Sequence, residues 1–138
     1  MLKENFKTCS LAFVFALCLG KSVHAQSVIN LDTVQVRETY DNVLIKKLHS
    51  DKNASAFLIF IKKEVRLHKH LIHSETIYVL EGTGDMLLGD KKIEVKKGDI
   101  IFVPENTPHS VKVTSIIPLK VISNQAPEFD GMDRVFMD

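Results

Sequence analysis

The chain has 138 residues, enough for one domain and too short for two of ordinary size. Its 18 Lys and Arg against 17 Asp and Glu leave a formal charge of +1, so the composition offers none of the basic surface that binding nucleic acid through phosphates requires. Hydrophobic residues at 45% and charged ones at 25% exclude a disordered chain.

The first segment reads as a leader. Lys3 and Lys7 precede an apolar run over residues 11–19, and Val23, His24 and Ala25 follow. A positive start, a short apolar stretch and a small residue before the cut are the order of a secretory signal peptide, here ending at Ala25. The apolar run is far shorter than the ~20 residues of a membrane-spanning helix, so no stable membrane anchor is expected. Cleavage leaves residues 26–138, with 15 Lys and Arg against 16 Asp and Glu. It also removes Cys9 and Cys18, the two cysteines of the chain. A mature chain without thiols has no disulfide, no thiolate nucleophile and no Cys-bound zinc. The expectation is an exported protein, periplasmic before secreted.

Residues 26–36 are expected to form an edge strand or a dimer arm. From residue 43 onward the chain shows short β-type runs at 43–48, 56–61, 65–70, 76–80, 85–88, 92–95, 100–103, 110–114 and 119–123. Gly, Pro, Asn and Asp separate them, and Gly89-Asp90 predicts a tight hairpin. Runs of this length and spacing predict a single all-β domain, a sandwich or small barrel. Lys91, Lys92, Lys96 and Lys97 alternate with Glu94, Asp99 and apolar Ile93 and Val95. That pattern is a solvated hairpin with one buried face, not an anion-binding surface. Tyr78 and Phe102 are assigned to the core, and the tail 126–138 is expected to pack Phe129 and Phe136 back onto the domain.

Chemistry is concentrated in the histidines. His68 and His70 are two apart in a β-type run, so both leave one face of one strand, where two imidazoles can bind one metal ion. Glu75 follows a short polar turn and can add a carboxylate. His73 falls in that turn, off the register, which suits a surface or supporting role.

These residues resemble the motifs of the cupin superfamily. The first motif is read in His68-Lys69-His70, Glu75 and Gly82, within residues 62–82; the second in Gly98, Pro104 and His109, within 98–113. Three positions depart from the pattern: Lys62 and Asn106 stand where Gly is usual, and Val113 where Asn is usual. Asn tolerates the left-handed backbone that Gly would supply, so the turn at Asn106 is retained.

The resemblance implies an all-β double-stranded β-helix, the cupin jelly-roll barrel, over residues 26–138. It implies that His68, His70, Glu75 and His109 bind a divalent transition metal, with Mn, Fe, Ni, Co, Cu and Zn all compatible with such donors. Four protein donors on an octahedral ion leave two positions for a small-molecule ligand or substrate. Val111 and Val113, alternating with His109, are expected to wall a narrow, dry cavity. Small cupins of this kind include dioxygenases, oxidases, decarboxylases, isomerases and lyases, as well as modules that bind metal or ligand without catalysis. Glu105 and His73 are the nearby candidates for an acid or base. A homodimer is expected, since an unpaired edge strand invites association.

Overall fold

The computed structural model describes residues 28–137, so the expected leader lies outside the described residues. Ten strands follow one another: β1 (Val43–Asp51), β2 (Ala54–Ile61), β3 (Glu64–His70), β4 (Ser74–Glu81), β5 (Thr83–Leu88), β6 (Lys91–Lys96), β7 (Ile100–Val103), β8 (His109–Val113), β9 (Leu119–Ala126) and β10 (Arg134–Phe136). The first nine lie on the nine runs of the sequence. They form two five-stranded antiparallel sheets, ordered β1-β2-β9-β4-β7 and β10-β3-β8-β5-β6. This is the expected all-β jelly roll in one domain. No described helix is long and apolar enough to cross a membrane.

Alternation along each strand builds the core between the sheets. Ile61, Val79, Ile101, Val103, Leu119 and Val121 come from the first sheet, and Met86 and Val95 from the second. Val95 is buried and Ile93 packs beside it, while the lysines of that hairpin stay outside, as the alternation predicts. Gly89 turns between β5 and β6 with a φ of 61°. Asn106 takes a φ of 59°, the left-handed conformation the sequence requires of it.

Gly82 carries a stricter demand. Its φ is 81°, and a Cβ there would lie 2.8 Å from the Pro118 carbonyl oxygen and 2.9 Å from Leu119 Cα. Both neighbours are backbone, so neither yields cheaply. Gly82→Ala should therefore cost at least about 1–3 kcal/mol, the usual penalty of a forbidden backbone conformation. Thermal melting checks this; an unchanged midpoint contradicts it.

Two expectations are corrected. Residues 28–36 contain no strand. Leu31–Thr33 is a short 3-10 turn, because the Asn30 side chain accepts from the Asp32 amide and diverts the backbone from extension. Tyr78 and Phe102 are not core residues: they are 41% and 60% exposed. The register pairs Tyr78 with Ile100 and Thr76 with Phe102 on the outer face of the sheet, while Ile77 and Ile101 point inward.

Candidate metal centre

The pairing of β3 with β8 sets His68 directly opposite His109. Cross-strand partners share a face, and His70 shares it by the two-residue period. All three imidazoles are buried between the sheets. One ring nitrogen from each lies within 4.8 Å of the other two, a spacing that can hold a single metal ion.

Hydrogen bonds on the far side of each ring decide which nitrogen is offered. His68 Nδ1 donates to the Arg66 carbonyl at 2.8 Å, and His109 Nδ1 to the Thr107 carbonyl at 3.0 Å. His70 Nδ1 donates to Asp133 Oδ1 at 3.2 Å. A carbonyl or carboxylate can only accept, so each ring keeps its proton on Nδ1 and its lone pair on Nε2. The Nε2 atoms of His70 and His109 are buried without a hydrogen-bond partner among the described residues. Buried polar atoms are rarely left so unless an ion or ligand is to meet them.

Glu75 approaches from the opposite sheet, not from a neighbouring strand of the same one. Its Oε2 is 3.2 Å from His109 Nε2 and 4.0 Å from His70 Nε2. Its Oε1 accepts from the Ser123 hydroxyl and, at 3.4 Å, from the Gln125 amide, both on the adjacent strand β9. Two lone pairs facing one another at 3.2 Å need a cation between them, either a proton or a metal. Burial opposes ionisation of Glu75, but His109 and the Ser123 hydroxyl outweigh it and hold the carboxyl well below its usual range. Burial pushes His68 down to about 4, with the neighbouring His109 adding to it. It lowers His70 as well, against the opposing pull of Asp133. Neutral imidazoles and an ionised carboxylate are the forms that bind metal.

His73 is fully enclosed, which removes the surface role and leaves the supporting one. Its Nδ1 lies 2.5 Å from Asp133 Oδ2, and its Nε2 is 2.8 Å from the Glu128 carbonyl. Burial opposes its protonation, yet Asp133 and that carbonyl raise its pKa. Glu105, proposed as an acid or base, is exposed on the turn before β8 and is not among the residues lining the site cavity.

Sequence reasoning missed Asp133 and Arg134. Asp133 links His70 to His73 and also accepts from the Ile72 amide at 3.2 Å. It lies in a tail with no period and no motif, more than 60 residues from His70, and nothing local marks it. The tail does return to the domain as expected. Phe129 meets His70 and His73 edge-on, with ring centroids 5.2 and 5.3 Å apart, and Phe136 lies 6.0 Å from His68.

A cavity of about 390 Å³ opens from the histidines through the barrel. Ile59, Ile77, Val111 and Leu119 line it, so Val111 walls it as the alternation with His109 predicts. Val113 packs against the core instead.

The family model described as Cupin domain matches residues 57–123, which contain all three histidines and Glu75. The chain is 36% identical over 81 residues to an uncharacterized protein of Methanocaldococcus jannaschii, covering 59% of this chain and 65% of that one. It therefore spans just under two thirds of that relative's length. It is 33% identical over 105 residues to an uncharacterized protein of Aquifex aeolicus, covering 75% and 86%. A 48-residue stretch is 42% identical to the quercetin 2,3-dioxygenase of Bacillus subtilis, covering 35% of this chain and 14% of that enzyme. Among solved structures, KdgF from Halomonas sp. superimposes with a TM-score of 0.68 at 20% identity, over 78% of this chain and 99% of that one. Jelly-roll topology, the histidine cluster and these matches together place the chain in the cupin superfamily.

Proposed function

We propose that the protein is a metal-dependent enzyme acting on a small organic molecule, exported to the periplasm after loss of residues 1–25. The observation that carries this reading is the convergence of three Nε2 lone pairs at the head of an apolar cavity. Each is fixed by a hydrogen bond on the opposite ring nitrogen. His68, His70 and His109 hold one divalent transition metal, with Glu75 as fourth donor held in place by Ser123 and Gln125. When bound, the metal supplies a Lewis acid to a substrate oxygen and, for a redox-active ion, an electron path. The protein's own contribution is to exclude water with Ile59, Ile77, Val111 and Leu119 and to fix the donors before the metal arrives. The partial identity to a quercetin dioxygenase supports an oxidative reaction, and decarboxylation or isomerisation fit the same site.

A second reading, a cupin that binds metal or ligand without turnover, is favoured by one feature. His73 is engaged at both nitrogens and Glu105 faces solvent, so neither candidate acid or base is free over the site. Metal analysis of the purified protein, then turnover of a panel of small acids and enols, separates the readings. One equivalent of metal with turnover supports the enzyme, metal with none supports the binding module, and no metal removes the metal-dependent enzyme and leaves of the module only ligand binding.

The same proposal holds that two mature chains pair, with residues 26–36 available as an arm. Intact mass of protein from fractionated cells and light scattering test export and pairing. A product retaining Met1 removes the first, and a strict monomer the second.

A further inference from the structure

The tail strand β10 carries a cation into the site. Its register sets Arg134 opposite His70 and Phe136 opposite His68, so both side chains share the inner face with the histidines, while Val135 pairs with Lys69 outside. Arg134 and Phe136 line the cavity together with His68, His109 and Glu75. Arg134 Nε is buried with no hydrogen-bond partner, and among the described residues the guanidinium enters no ion pair. Its Cζ lies 5.4 Å over the Phe129 ring, which supports the group without accepting a hydrogen bond from Nε. Its charge is close enough to His68 to disfavour protonation there. An always-charged fork whose buried donor lacks a partner is rare in a folded protein, and it calls for an acceptor that arrives from outside.

We propose that Arg134 anchors the carboxylate of a small carboxylic acid whose apolar body lies in the cavity beneath the metal centre. This rests on the proposed function for its metal, while the anchor itself needs none. The planar guanidinium matches a carboxylate with two parallel N–H···O bonds. A single half-buried guanidinium with its Nε enclosed suits a monoanion. The other arginine bordering the cavity, Arg66, is exposed and spread over the Phe136 ring at 4.4 Å. Ile59, Ile61 and Val111 supply walls that favour a hydrocarbon body and give a second charge no partner.

The test compares matched pairs, butanoate with butanamide and benzoate with benzamide, by calorimetry on the full mature chain. It is run after removal of metal with a chelator and again after loading with zinc. In the metal-free protein each carboxylate should bind about tenfold to a hundredfold more tightly than its amide. Arg134→Gln should abolish that preference, and Arg134→Lys should keep part of it by retaining the charge. Zinc content should be the same in all three proteins. The inference is overturned if the metal-free wild type does not prefer carboxylates, if it binds none of the four at millimolar concentration, or if Arg134→Gln keeps the preference. Should the wild type take up no zinc while the carboxylate preference persists, the metal reading fails and the anchor stands. If zinc loads and the preference is absent, the reverse holds.

Discussion

His109→Ala is expected to leave the purified protein essentially without bound metal. The imidazole offers its Nε2 into the group, with ring centroids 4.2 Å from His68 and 5.7 Å from His70. Removing it deletes a direct donor and leaves Glu75 Oε2 without its nearest facing group. The loss should exceed the about 10–100-fold that removal of an outer partner costs. His68→Ala should behave alike. Acid provides the same test without mutation. An ordinary His protonates near about 6.5, whereas burial and the neighbouring His109 hold His68 neutral down to about 4. The His68 donor should therefore remain available as pH falls through about 6.5 and be lost only nearer 4. In that window the unfolded chain binds more protons than the folded one, so the stability of the metal-free protein should fall as pH falls. Metal content by mass spectrometry checks the two variants; NMR of His68 and melting curves across this range check the two pH statements. Protonation of His68 already in the ordinary His range contradicts the first.

Asp133→Ala is expected to weaken metal binding by about 10–100-fold and to loosen the tail. One carboxylate oxygen orients His70; the other holds His73 and the Ile72 amide. His73 and Ile72 hold Asp133 down to about 2 against the opposing effect of burial, so it is ionised wherever the metal binds. Without it His70 is free to rotate or change tautomer, and the returning tail loses its side-chain bonds to Ile72 and His73 while keeping the backbone bond from the Leu71 amide to the residue 133 carbonyl. His73→Ala removes only one arm of this clamp, so its metal content at saturating metal should stay nearly unchanged. Titration of zinc against a chromophoric competitor ranks the variants. If His73→Ala empties the site and Asp133→Ala does not, the clamp is misassigned.

How far the site was legible in the sequence follows from the range of the interactions that make it. The two-residue period is local, so His68 and His70 on one face, Ile93 and Val95 on another, and the nine runs themselves could be read in sequence. The left-handed turn at Asn106 was legible for the same reason, because only a few residue types tolerate that φ. Period says nothing when both faces of a run are apolar. In Ile100-Ile101-Phe102-Val103 only pairing with β4 decides that Ile101 and Val103 are buried and that Phe102 meets water. The motifs brought His109 to the site by resemblance, and the β3–β8 register then supplied the contact. Asp133 and Arg134 had neither period nor motif. Only the return of β10 to the edge of β3 turns one toward His70 and the other into the cavity, since a cross-strand neighbour is chosen by hydrogen-bond register between distant segments and leaves no mark in either one alone.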